Sequence, residues 1–193
     1  VKELLDTGCT NLELWETHFG SCVKYFKSFY EYKNVRTSRI RTSKTELHIR
    51  WGVPGTAKSD WPLRHYGTNN VYEVPRPQGS SQWFDGYLGQ QVALLDDFYG
   101  WIPLHFLLKL ADGTPLRVPI KGGFTHWAPK KLFITSNKPW EDWYDWNKEG
   151  LAPLKPALER RITSCTEFTW FQVYTGPSVD LPSEGPGMEE FAG

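Results

Sequence analysis

The chain has only three cysteines, Cys9, Cys22 and Cys165, and no C-x-x-C pair. That number and spacing provide neither a zinc quartet nor a disulfide framework, so inert thiols in a reducing compartment are expected. Net charge is also missing: 22 Lys and Arg stand against 22 Asp and Glu. A global basic field is therefore excluded, and any contact with nucleic acid must come from local clusters. The longest basic cluster, "KNVRTSRIRTSK" from Lys33 to Lys44, reads first as a solvated linker. No apolar run is long enough to cross a membrane, and no signal peptide or internal repeat is visible. The first residue is Val1 rather than Met, so the chain is expected to be part of something longer.

Aromatic residues are abundant. They make up 16% of 193 residues, with ten Trp, which is ample material for one good-sized core. Residues 1–34 read as short helices. "VKELLDTG" ends on Gly8, a C-cap. Thr10 and Glu13 have the spacing of a capping box, and Gly20 is expected to close that helix. The next segment places Val23, Phe26 and Tyr30 on one helical face. Such short helices are unstable alone and must pack on something.

The texture changes near Thr45. "ELHIRW" alternates polar and apolar residues like a strand, and "SDWPLRHYG" then reads as a short helix. "QVALLDDF", Gln91 to Phe98, is a continuous apolar run ending in two carboxylates, which suits a strand buried on both faces of a parallel sheet. "WIPLHFLLKLADG" is helical with Gly113 at its end. "PLRVPIKGGFTHWAPKKLFITSN" gives a strand, a glycine turn and a second buried strand. "APLKPALERRI" is a last short helix before a final apolar stretch. Alternating strands and helices indicate an α/β sheet, whose ligands gather at the carboxyl ends of the strands. "PWEDWYDWNKEG" spaces Trp140, Trp143 and Trp146 three apart, and a packed helix face is expected there rather than a base-stacking surface.

The residues that fall at strand ends carry chemistry. Gly52, Val53, Pro54, Gly55, Thr56, Ala57, Lys58 and Ser59 nearly match a phosphate-binding loop, with Ala57 in place of the second glycine. Successive backbone N–H groups would surround an anion, Lys58 would add charge on the β- and γ-phosphates, and Ser59 would hold Mg²⁺. Asp96 and Asp97 end an apolar strand, as a Walker B segment requires: Asp96 for the Mg²⁺ shell, Asp97 to orient and deprotonate water. Adjacent carboxylates in a buried site do not easily both stay ionised without a metal. Asn137, at the tip of "FITSN", is placed to sense the γ-phosphate. Arg160 and Arg161 are placed to offer a guanidinium to a neighbouring subunit's phosphate.

In order and spacing, "GVPGTAKS", "WFDGYLGQQVALLDDFYGW", "PLRVPIKGG", "ITSN" and "RRI" resemble the replication-associated proteins of circoviruses and related small circular single-stranded DNA viruses. The resemblance covers residues from about 45 to 170. It implies a superfamily 3 helicase: an α/β P-loop AAA+ ATPase with a central, mostly parallel sheet. Such a protein uses ATP and Mg²⁺ and forms a homo-oligomer, a hexameric ring around single-stranded DNA, in the host nucleus. The implied organisation is a helical oligomerisation domain and linker over 1–44, the ATPase over 45–172, and a disordered tail over 173–193. "IKGGFTH" resembles the DNA-facing hairpin of the family. Lys121 would meet a backbone phosphate, Gly122 and Gly123 would permit close approach, and His126 and Lys130 are further DNA-contact candidates. The nicking endonuclease of such proteins has no counterpart here. The Tyr-x-x-Lys spacing at Tyr30–Lys33 falls in a helical pattern with no metal motif and reads as coincidence. Three functions remain: an ATP-driven DNA translocase, an oligomeric DNA-binding scaffold with an ATPase impaired by Ala57, and an RNA-directed viral ATPase.

Overall fold

A computed structural model describes residues 1–37, 40–77, 79 and 81–169. The expected tail over 173–193 lies outside the described residues.

The N-terminal region holds α1 (Lys2–Asp6), α2 (Asn11–Thr17) and α3 (Phe19–Thr37). The capping box forms as expected. Glu13 N–H donates to Thr10 Oγ1 at 3.1 Å, and Thr10 N–H donates to Glu13 Oε2 at 2.7 Å. Gly20, expected to close α2, lies instead in the first turn of α3, and His18 is the C-cap of α2. The expected Val23 face also differs. Val23 is 64% exposed, and the buried residue is Cys22, which packs with Leu5, Cys9 and Leu14. The cause is local: α3 breaks its helical geometry at Tyr25, while Trp15 covers Phe26 at 5.3 Å. Asp6 joins the helices by accepting from Lys2 Nζ at 2.7 Å and Tyr32 Oη at 2.6 Å. The Lys2 bond leads in pulling its carboxyl down to about 2.

Five strands form one parallel sheet in the order β2–β3–β6–β1–β7. They are β1 (Glu46–Gly52), β2 (Val71–Glu73), β3 (Val92–Leu95), β6 (Lys131–Ser136) and β7 (Ile162–Phe168). All four residues of β3 are buried, as the apolar run required. One face packs Leu47, Ile49, Leu95 and Ile134 against α5 (Leu104–Leu110) and the fully buried Trp127. The other packs Leu94 and Phe133 against Trp61 and Tyr66 of α4 (Asp60–Tyr66). Apolar residues on both faces make this the α/β architecture with a central parallel sheet that the sequence implied.

Two details depart from the sequence reading. Between the strand expected before the glycine turn and the one expected after it lies a third, which makes "IKGGFTH" the hairpin that the resemblance implied. β4 (Arg117–Ile120) and β5 (Gly123–His126) pair antiparallel as a separate hairpin, and only then does β6 begin. The three tryptophans do pack, but not along a helix. Trp140 opens a single 3₁₀ turn, and Trp143 Nε1 donates to Ser136 Oγ at 3.0 Å. α6 (Lys155–Glu159) precedes β7.

Arg41 lies in the expected linker yet docks on the sheet domain. It is buried, and its guanidinium donates to the carbonyls of Lys109, Leu110 and Thr114 at 2.9, 2.8 and 2.9 Å. The first two belong to the last turn of α5, where Leu110 O also accepts from Trp127 Nε1 at 3.0 Å and a cation is favoured by the helix dipole.

Candidate nucleotide site

Parallel strands bring their carboxyl ends to one edge. The end of β1 runs into the loop at 52–59, that of β3 into Asp96 and Asp97, and that of β6 into Asn137. These segments line one pocket of about 430 Å³, open to solvent, running from Pro54 to Ser59 on one wall and from Asp96 to Asn137 on the other. The pocket therefore joins the loop and the acids that the sequence singled out separately.

The loop is organised around Lys58. Its residue is buried, and Nζ donates to Gly52 O at 2.9 Å, Val53 O at 2.6 Å and Thr56 Oγ1 at 3.3 Å. Burial lowers its pKa, while Asp97 and then Asp96 oppose that shift. Three donors on three loop oxygens leave no spare proton, so gripping a phosphate requires exchanging at least one of these bonds. Gly52 has a separate reason to be glycine. Its φ is +137°, and a Cβ there would lie 2.1 Å from Phe168 O of the neighbouring strand.

Ala57 adopts φ 56°, and Gly55 adopts φ 81°. The left-handed region costs a non-glycine residue about 1–2 kcal/mol. That strain belongs to the folded loop itself, so it weighs on folding more than on ligand binding. Ala57→Gly relieves it but adds unfolded-chain entropy of about 0.5–1 kcal/mol. The expected net is about +1 kcal/mol or less of stability and a melting temperature higher by roughly 2–4 °C at most. Nucleotide affinity should move by less than about threefold. Parallel melting curves and nucleotide titrations test this; a tenfold tightening would show that the methyl group obstructs the ligand itself.

Across the pocket Thr135 is the polar centre. Its Oγ1 donates to Asp96 Oδ1 at 2.6 Å, and accepts from Ser59 Oγ at 3.3 Å and from the Asp97 N–H at 2.9 Å. Ser59 and Asp96 are thus held on opposite sides of one hydroxyl. Asp97 sits at φ 47°, a conformation Asp tolerates better than most side chains, and projects into the pocket. Its carboxylate accepts from Asn137 Nδ2 at 3.2 Å and pairs with Arg76 at 2.8 Å. Serine, threonine and aspartate provide an oxygen-only donor set. That set fits Mg²⁺, which takes one or two carboxylates and leaves other positions to water and phosphate. Among the described residues there is no cluster of three or more His, Cys, Asp or Glu that could hold a metal.

Arg76 and Thr135 were not singled out in the sequence. Thr135 had a visible signal, a hydroxyl residue near the end of the buried run "KLFITS". Arg76 had none, because its partner is 21 positions away.

The two arginines lie elsewhere. They precede Ile162, which pairs with Leu47 at the amino end of the sheet, whereas the pocket is at the carboxyl end. At about 3.3 Å per residue along β7, they are roughly 20 Å from their own loop. They also differ from each other. Arg161 pairs with Asp112 at 2.9 Å and donates to Ala157 O at 2.8 Å. Arg160 is exposed, and among the described residues its guanidinium has no partner.

The hairpin residues are also separate from the pocket. Lys121 and Gly122 (φ +98°) form the turn between β4 and β5, and the Lys121 N–H donates to Asp85 Oδ1 at 2.6 Å. Gly123 begins β5 and His126 ends it, half-buried. Lys130 is off the hairpin, at the foot of β6, where its N–H donates to Gln91 O at 2.8 Å.

Comparison with known proteins agrees with this geometry. The family described as RNA helicase matches residues 50–138, from the end of β1 past Asn137. The replication-associated protein of Goose circovirus is 42% identical over 160 residues, 83% of this chain and 51% of the relative. That of Beak and feather disease virus is 38% identical over 151 residues, 78% and 47% of the two chains. That of Porcine circovirus 2 is 36% identical over 165 residues, 85% and 50%. The chain spans about half the length of these curated relatives. A closed-state structure of Hsp104 with ATPγS and FITC casein overlaps 66% of this chain and 27% of its own, at 18% identity and a TM-score of 0.46. No helix among the described residues is long and apolar enough to cross a membrane. With loop, paired acids and polar strand tip assembled in one pocket, the chain belongs to the replication-associated proteins of circoviruses and their relatives, and corresponds to their superfamily 3 helicase portion.

Proposed function

We propose that this chain hydrolyses ATP between subunits of a ring and uses the energy to move along single-stranded DNA in the host nucleus. The observation that carries the reading is the convergence of Lys58, Ser59, Asp96, Asp97 and Asn137 on one pocket. A protein that only binds DNA has no use for that set.

The loop amides and Lys58 hold the triphosphate; Ser59 and Asp96 are the residues that would hold Mg²⁺, which would screen the phosphate charge. Thr135 fixes the distance between Ser59 and Asp96. Asp97 orients a water and takes its proton. Asn137 and Arg76 hold Asp97 from two sides, which keeps its carboxylate aimed. Arg160 of a neighbouring copy supplies the guanidinium that its own sheet keeps about 20 Å away.

The N-terminal helices support assembly. Leu12, Phe19 and Val23 are each about two-thirds exposed, and Trp15 and Phe26 are half-buried beside them. An apolar surface of this kind calls for a partner, and a second copy is the one proposed. Removing residues 1–37 keeps Arg41 on α5. It should give a folded monomer with low ATPase activity, read by sedimentation; a truncated chain that still sediments as a full ring would remove this surface from assembly.

The decisive measurement is steady-state phosphate release from Mg-ATP with and without oligo-dT. Turnover stimulated by the strand supports the translocase. No nucleotide binding at millimolar ATP, restored by Ala57→Gly, would leave a DNA-binding scaffold with a disabled loop. Stimulation by oligo-U alone would redirect the motor to RNA.

A further inference from the structure

The β4–β5 hairpin is two-faced. Val118, Ile120 and Thr125 point inward and are buried. The register pairs Arg117 with His126 and Pro119 with Phe124, so these four share the outward face. Phe124 is 59% exposed, an unusual state for a phenylalanine on a short strand. The Arg117 guanidinium lies 5.3 Å from its ring centroid, and the exposed Lys121 stands at the turn beside it. No carboxylate belongs to the outward face itself. At the turn, Asp85 accepts from the Lys121 N–H and stands 3.9 Å from its Nζ.

We propose that Phe124, braced by Arg117, is a stacking platform for an unpaired nucleobase. The occupant is a single strand of nucleic acid. An exposed apolar ring with a guanidinium against it and a lysine at the hairpin turn matches a chain that alternates flat bases with phosphates. A protein partner would have to leave both cations beside an apolar contact. Stacking also supplies what Lys121 cannot: a grip on the base, which exists only where the duplex has opened. The hairpin then separates single strand from duplex through Phe124, and holds the backbone through Lys121 and Arg117. This inference rests on the proposed action on a single strand.

The test uses the full chain with three probes of equal length: oligo-dT, a strand of abasic deoxyribose units, and oligo-U. Phe124→Ala should weaken oligo-dT binding about tenfold, while Phe124→Trp keeps it. On the abasic strand, the alanine variant and the unmodified protein should bind equally. A matching loss on oligo-U shows that the ring reads the base whatever the sugar, and a loss on oligo-U alone identifies RNA as the occupant. No change between the unmodified protein and Phe124→Ala on either oligo-dT or oligo-U, or the same loss on the abasic strand, overturns the platform. So does a fall in sedimenting mass of Phe124→Ala without nucleic acid, which would make the ring a contact between copies. If the unmodified protein binds none of the probes, the proposed function falls with it. Binding that ignores Phe124 removes only the platform.

Discussion

Lys58→Ala is expected to reduce ATP turnover at least about 100-fold, the scale for losing one preorganised charged donor from a phosphoryl-transfer site. The structure adds a second effect. Lys58 Nζ also ties Gly52 O and Val53 O together, so its removal takes that donor from Gly52 O and leaves Val53 O with Thr56 Oγ1 alone. A stability loss of about 1–2 kcal/mol should accompany the lost activity. The two effects separate by temperature. At 10 °C the variant should be folded by circular dichroism and still inactive in phosphate release. A folded Lys58→Ala protein retaining a tenth or more of the activity would exclude Lys58 from the nucleotide.

Arg160→Ala is expected to reduce turnover by about a thousandfold or more while leaving folding and nucleotide affinity unchanged. The arginine is exposed, so truncation leaves nothing unpaired. Arg161→Ala should behave in the opposite way. It breaks a pair with Asp112, whose carboxyl is held low first by the Gly113 N–H and then by Arg161. The cost is expected in stability, of order 1–2 kcal/mol, with turnover per folded chain largely kept. Melting curves and active-site titration distinguish the two. A result in which Arg161→Ala is folded but inactive while Arg160→Ala is normal would exchange their roles.

The parallel sheet was legible because buried strands are written as apolar runs with polar residues at their ends. Val92–Leu95 followed by Asp96 and Asp97, and "KLFITS" followed by Asn137, announced both the strands and the pocket edge. The capping box at Thr10 was legible for a similar reason, since both partners lie within one turn. What could not be read depends on distance or on backbone shape. Arg41 reaches carbonyls 68 to 73 positions away, and Arg76 reaches Asp97 across 21. The break at Tyr25 that turns Val23 outward has no glycine or proline to mark it. β5 was hidden from the residue pattern and came only with the resemblance of "IKGGFTH" to a hairpin, because its one large apolar side chain, Phe124, points outward and imitates a core position. The choice between Arg160 and Arg161 was unreadable for the same reason: Asp112, which occupies one of them, lies 49 positions upstream.

The separation of Lys58 and Arg160 to opposite ends of one sheet has a genetic consequence. Every junction of a head-to-tail ring would be built from one end of each of two copies, so the two defects reside in different halves of the junction. A Lys58→Ala preparation and an Arg160→Ala preparation are each silent. Once mixed and allowed to exchange subunits, they should regain hydrolysis, because about a quarter of random junctions join the intact loop of one to the intact arginine of the other. Two null alleles of this chain would then complement each other, and a chain carrying both substitutions would rescue neither.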